Sequence, residues 1–171
     1  MEKMDTVSKG NTAALITELR AKFNGRAISP GDVEYDKART VFVGGIDRHP
    51  AVIVRVINAQ EVSQVILFAR ESGLELAVRS GGHSSVGHST TEGGIVLDLS
   101  MMKDLQIDAD QKTAWAETGL TAGEYTHAAA SHGLATGFGD TASVGVGGIT
   151  LGGGVGYLTR KHGLTIDSLL A

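Results

Sequence analysis

A chain of 171 residues, 42% of them hydrophobic and 20% charged, is the size of one domain or of two small lobes and can bury an adequate core. It has no cysteine, which excludes disulfides, thiolate metal sites and a thiol nucleophile. A formal charge of −4 with no Lys/Arg cluster excludes a nucleic-acid surface, and no apolar run approaches membrane-spanning length.

Residues 1–11 are polar and lack the apolar core of a signal peptide, so the expectation is a cytoplasmic chain with no membrane partner. Leu15, Ile16, Leu19 and Phe23 share one face of a helix that Asn11 or Thr12 would cap and that ends at Asn24-Gly25. Residues 51–56 form a buried-strand pattern. Asn58 and Glu61 then make a capping box for a helix with Val62, Val65, Ile66 and Ala69 inward, stopped by Gly73. Residues 76–79 are a second strand, so this stretch is a βαβ unit, and ligands bind beyond the carboxyl ends of strands in open sheets.

The second half has a different rhythm. Residues 94–99, 105–108 and 113–117 are short strands separated by turns, as in an antiparallel sheet, with Trp115 expected to pack in the core or on a strand face. Thr121 and Glu124 make another capping box, opening a helix that runs to Gly133, and residues 157–162 form a short helix closed by Gly163. The fold class is therefore α+β, a small βαβ lobe followed by a mainly antiparallel lobe with helices.

Two glycine-rich loops punctuate this pattern. One spans residues 79–88 and contains Ser80, Gly81, Gly82, His83, Ser84, Gly87 and His88. The other spans residues 144–156 and contains Gly145, Val146, Gly147, Gly148, Leu151, Gly152 and Gly153. Glycine is used in 24 positions, about twice the ordinary roughly 7%, and nine of these fall between residues 137 and 156, so the excess is local. Glycine lets a backbone come close to a ligand and turn its N–H groups toward an anion, so the pair of loops is a candidate cradle for a dinucleotide diphosphate. The alternative is a set of tight turns, with His83 bonded to backbone or water. A metal on His83 and His88 is disfavoured because no carboxylate or thiol partner accompanies them. Neither the G-x-G-x-x-G fingerprint nor the G-x-x-x-x-G-K-[ST] loop occurs, so the common nucleotide motifs do not account for these glycines. Asp98 and Asp167 read as turn or hydrogen-bonding groups beside apolar segments.

The strings VRSGGHS (78–84), GGIVLDLS (93–100), LGGGVGYLTRK (151–161) and GLTID (163–167), in this order, resemble the FAD-binding (PCMH-type) domain of the berberine-bridge-enzyme-like oxidases of the vanillyl-alcohol-oxidase superfamily. The resemblance covers residues 35–171, behind a leader and helix at 1–34, and implies a first lobe at 35–82 and a second at 83–171. It implies FAD as cofactor. His83 would bond covalently to the 8α-methyl of the flavin, and Ser80, Gly81, Gly82 and Ser84 would wrap the diphosphate. Gly145, Val146, Gly147, Gly148, Gly152 and Gly153 would lie along the cofactor, and Gly87, His88, Thr141 and Leu151 would also belong to the cofactor-binding set. Many family members make a second flavin bond through a cysteine; Thr141 stands at that position, which implies a single link. His162 replaces a tyrosine usual in the family.

The implied chemistry is hydride transfer from an alcohol, amine or sugar carbon to flavin N5, with oxygen as the final acceptor. Family members continue into further strands and a substrate domain, whereas this sequence stops in apolar residues at 169–171, as a fragment or one half of a split enzyme would. No residue is assigned as catalytic base. The expectation is a chain that self-associates or needs a partner. A flavin-binding or structural module without turnover, and an unrelated nucleotide-binding protein, are the other readings.

Overall fold

The computed structural model describes residues 9–170. Strand β2 (Val52–Arg55) leads through α3 (Ala59–Ser72) to β3 (Leu76–Arg79), and β4 (Ile95–Asp98) inserts between them. All three run parallel, with β2 and β3 both in register on β4, while β1 (Ala27–Ile28) adds to β2 antiparallel, giving the order β1-β2-β4-β3. Strand β4 thus belongs to the first sheet and not with the strands that follow it. Its four residues are all buried, which is the signature of a central parallel strand covered on both faces.

The period-two alternation of the strands sorts the core into two layers. Val52, Val54, Ile95 and Leu97 face Leu19 and Phe23 of α1 (Lys9–Lys22) and Val65, Phe68 and Ala69 of α3. Ile53, Ala77 and Val96 face Ile28 of β1 and Tyr35 and Ala38 of α2 (Tyr35–Arg39). The sheet is therefore sandwiched between helices. Among the described residues helix α1 runs Lys9–Lys22, so positions 11 and 12 lie within it and not at its start; Asn24 and Gly25, both at positive φ, end it as expected.

Helix α3 differs from expectation in two details. Phe68 is buried and Ile66 is 45% exposed, because the inward stripe passes through positions 65, 68 and 69. The Asn58 side chain accepts the Glu61 N–H, but the Glu61 carboxylate does not return to Asn58. It takes the Ile57 N–H at 3.0 Å and both Nη atoms of Arg26 at 2.6 Å, since a charged fork outcompetes a neutral amide. Gly73 closes the helix in the left-handed region at φ 69°.

The second sheet is a hairpin of β5 (Leu105–Asp108) and β6 (Thr113–Ala116). Trp115 on β6 is 68% exposed, so it stands on an open strand face and not in a core. Helix α4 (Ala122–Ser131) opens with both bonds of the Thr121/Glu124 capping box, and Gly133 follows it with φ 69°. The glycine run 144–156 is not one loop: Val146–Leu151 forms a helical turn and a half, α5, between Gly145 and Gly152. Helix α6 (Thr159–His162) and a 3-10 turn (Thr165–Ser168) complete the chain. Asp167 caps that turn by accepting the Leu164 N–H at 2.8 Å. His162, the last residue of α6, is exposed. Among the described residues no helix is long and apolar enough to cross a membrane.

Candidate cofactor site

The carboxyl ends of the three parallel strands align as Arg55, Asp98 and Arg79. Arg79 and Asp98 are buried and joined at 2.9 Å, and Asp98 also accepts the Ser100 N–H at 2.9 Å. This confirms Asp98 as a hydrogen-bonding group, here a buried anchor at the mouth of the sheet. The first glycine loop starts directly above that anchor. Gly82, at φ 71°, folds over the Arg79 side chain, a position where a Cβ would be strained.

The loop is fastened from outside. Gly82 accepts the Phe42 N–H at 3.1 Å, and Arg48 Nη1 donates to the carbonyls of Gly87 (3.0 Å) and Thr90 (2.9 Å). Ser84 closes a turn by accepting the His88 N–H on its Oγ at 3.0 Å and the Gly87 N–H on its carbonyl at 3.3 Å. His88 itself is exposed, and Gly87 is buried against Arg48 at φ 81°.

What the loop leaves unbonded matters most. The N–H groups of Gly81, Gly82, His83, Ser84, Ser85 and Val86 donate to no acceptor among the described residues. Backbone donors are ordinarily paired unless they face water or a ligand. A consecutive run of six unpaired N–H groups in one loop, of which those of Ser85 and Val86 belong to exposed residues, is a donor set suited to an anion, and concave arrangements of successive N–H groups bind phosphate elsewhere.

The second loop reaches the same place by a chain of backbone bonds. Ala122 and Gly123 donate to the carbonyls of Val144 and Ala142, and Val146 donates to Leu120, so residues 142–146 lie alongside 120–123. Ser80 Oγ donates to the Thr118 carbonyl at 2.5 Å, tying that pair to the first loop. Gly81 and Gly145 consequently meet backbone to backbone: a Cβ on either would collide with the main chain of the other. The two loops form one continuous surface. Gly147 and Gly148 add two more N–H groups without acceptors among the described residues, and nothing lies within 4 Å of where a Gly148 Cβ would be.

The remaining glycines of the second run divide by role. Gly152 ends α5, and Gly153 turns at φ 97°. Gly154 packs against Thr165 and Gly156 against the Phe138 carbonyl, so these two serve close packing. Leu151 is 81% exposed. It lines a groove of about 410 Å³ with Trp115, Tyr125, Val146 and Leu169.

His83 is half-buried, and its position is defined on two sides. Its ring stacks on Phe42 with centroids 4.0 Å apart and planes inclined by 17°. Its Nε2 lies 3.1 Å from Ser143 Oγ. Thr141, two residues before Ser143, is exposed and donates to Asp140 at 3.0 Å. Phe42, Arg48, Thr118 and Ser143 shape the site without any motif to announce them; each acts through a tertiary contact that no local pattern encodes.

The chain is 38% identical over 151 residues to an uncharacterized FAD-linked oxidoreductase of Bacillus subtilis, YgaK, covering 88% of this chain and 34% of the relative. It is 39% identical over 146 residues to (R)-6-hydroxynicotine oxidase of Paenarthrobacter nicotinovorans, covering 85% and 32%. The crystal structure of 6-hydroxy-D-nicotine oxidase from Arthrobacter nicotinovorans superposes with a TM-score of 0.82 at 39% identity, over 84% of this chain and 32% of that one. A Physcomitrella patens BBE-like 1 variant superposes with a TM-score of 0.85 at 29% identity, over 91% and 34%. The chain thus spans about a third of the length of the relatives it matches. With residues 50–171 matching the model of the FAD binding domain, and both glycine loops inside that span, the chain belongs to the FAD-binding domain family of the FAD-linked oxidoreductases.

Proposed function

We propose that this chain holds FAD with its diphosphate on the N–H groups of residues 81–86, completed by Gly147 and Gly148, and with the flavin bonded covalently to His83. The observation that carries the reading is the run of unpaired N–H donors joined to a second glycine segment at the Gly81–Gly145 contact. Ser80, whose hydroxyl is committed to Thr118, sets the loop spacing, and Ser84 and Gly87 with the His88 N–H hold its turn. Gly145, Val146, Leu151, Gly152 and Gly153 shape the second flank. Thr141 offers no thiol, so a single link is expected.

Bound FAD would supply hydride acceptance from an alcohol, amine or sugar carbon at flavin N5, followed by return of the electrons to oxygen. The protein's part is to orient and retain the cofactor. Because relatives such as the nicotine oxidase are longer, turnover would require a substrate-binding part beyond these residues, and a flavin-binding module without turnover of its own is the second reading. The exposed side chains of Trp115, Leu151, Tyr157, Leu169 and Leu170 support self-association or a partner chain, because apolar patches of this kind favour association. Light scattering tests that part: a monodisperse monomer at high concentration would count against it.

The covalent link is tested by denaturing the FAD-loaded protein in acid and separating it on a gel. Flavin fluorescence should remain with the wild type and leave with His83→Ala. Free flavin released from the wild type would overturn the link, and failure of the wild type to retain FAD before denaturation would overturn the cradle.

A further inference from the structure

The surroundings of His83 contain more than a retained side chain. Its imidazole is held by Phe42 on one ring face and by Ser143 at Nε2, and its Nδ1 has no partner among the described residues. Ser143 is exposed, and its hydroxyl makes no other hydrogen bond among the described residues. Phe42 is 65% exposed, and its ring stacks on the imidazole. An exposed aromatic and an exposed serine thus converge on one histidine.

The tautomer decides what such a histidine can do. In neutral imidazole one nitrogen carries the proton and the other carries the lone pair, and a hydrogen bond at one nitrogen selects between the two forms. If Nε2–H donates to Ser143 Oγ, the lone pair sits on Nδ1, the nitrogen that is free. If Ser143 donates instead, Nδ1 carries the proton and has no lone pair to offer.

We infer that Ser143 is a positioning residue: it accepts the Nε2–H of His83, fixes the tautomer with a bare Nδ1, and with Phe42 holds the ring so that Nδ1 is the nucleophile toward the flavin. This rests on the reading of His83 given above. A bond forms between Nδ1 and the 8α carbon as one C–H bond of the methyl breaks, its proton passing to solvent and its electron pair to the isoalloxazine ring, which is left reduced. The imidazole, alkylated at Nδ1, then releases its Nε2 proton to the Ser143 side and solvent. Dioxygen takes up the two electrons and two protons, giving hydrogen peroxide and the oxidised, linked flavin.

Two measurements separate this inference from the reading beneath it. In the FAD-free chain, ¹⁵N NMR of the imidazole should show His83 protonated at Nε2 and bare at Nδ1; in Ser143→Ala the two tautomers should mix, and Ser143→Thr should restore the wild-type form. The opposite tautomer in the wild type would overturn the assignment. In the second measurement, FAD is added and acid-stable flavin fluorescence is followed in time. With both proteins saturated with FAD, Ser143→Ala should form the link about tenfold more slowly than the wild type, the loss expected for one orienting hydrogen bond. Ser143→Thr should recover the rate, and Phe42→Leu should lie between. A wild type that forms no acid-stable link sinks the covalent reading itself. A wild type that links while Ser143→Ala links equally fast sinks only the role of Ser143.

Discussion

The approach of Gly81 to Gly145 is the joint of the proposed cradle, and a single methyl group tests it. A Cβ on Gly81 would fall on the backbone nitrogen of Gly145, 2.9 Å from its Cα and 3.1 Å from the Val144 carbonyl carbon. A Cβ on Gly145 would fall on Ser80 Oγ and the Gly81 nitrogen, 2.9 Å from Ser80 Cβ. Most of these obstacles are main-chain atoms, so no rotamer relieves them. Against an ordinary carbon contact of about 3.5–4.0 Å, the loops must part by roughly 1 Å. Overpacking of this kind costs about 1–3 kcal/mol. In a chain of this length each kcal/mol lowers the melting temperature by about 2–4 °C, so Gly81→Ala and Gly145→Ala should each melt roughly 2–12 °C below the wild type.

Binding should fall with stability, but for a separate reason. Parting the loops misplaces the N–H donors of Gly81 and Gly82 relative to those of Gly147 and Gly148. Losing one hydrogen bond to a charged diphosphate costs about 1.5–3 kcal/mol, or about ten- to a hundredfold in FAD affinity. Because both substitutions open the same contact, the double variant should cost less than the two singles added. Thermal melting of the FAD-free chain and titration with FAD by quenching of flavin fluorescence read the two effects. Gly44→Ala, where no atom lies within 4 Å of the new methyl, is the control and should change neither. If Gly81→Ala and Gly145→Ala behave like Gly44→Ala, the loops do not meet and the cradle is wrong.

Other consequences follow from individual residues. Gly148 lies in helix α5 with open space around it, so Gly148→Ala should stabilise the FAD-free chain by up to about 1 kcal/mol, the helix preference of alanine, while weakening FAD binding; unchanged FAD affinity in a thermal-shift titration would remove Gly148 from the site. Glu61 is held below the usual glutamate range by hydrogen bonds from Arg26, against the opposing effect of burial and with help from the Ile57 N–H. Its contribution is therefore present above the ordinary glutamate pKa and lost as the pH falls through and below about 4.3, so melting curves of the wild type should drop there more than those of Glu61→Gln, which at neutral pH should be less stable by about 1.5–3 kcal/mol. Equal acid sensitivity in the two proteins would refute this assignment.

Local pattern carried the parts of this fold that local physics decides. The span of α3 from its Asn58 cap to Gly73, the two-bond cap of Thr121 and Glu124, and the left-handed glycines that end helices all follow from interactions within one or two turns. The place of strand β4 is not local, because its pairing with β2 and β3 depends on residues far from it in sequence; only its fully apolar Ile95-Val96-Leu97 run hints at a central position. Glu61 left its expected partner for the same reason, since Arg26 arrives from 35 residues away. The candidate site was legible in its glycines, whose backbone freedom is a property of the residue itself. It was illegible in Ser143, Phe42 and Arg48, which matter only through what they touch.

This division explains how the site is built. A loop that presents six unpaired N–H groups has little beyond the Ser84 turn to hold itself, because those groups forgo the bonds that hold other loops in place. Its shape must be imposed from outside: by the Arg79–Asp98 pair beneath it, by Arg48 on its far end, by Phe42 at Gly82 and by Gly145 pressed against Gly81. The ion pair comes from β3 and β4, Phe42 and Arg48 from the segment between α2 and β2, and Gly145 from the segment before α5; the insertion of β4 between β2 and β3 places Asp98 under the loop and Leu99 over Gly119. The residues that would touch the diphosphate are thus readable one by one, whereas the force that keeps them facing it belongs to the fold.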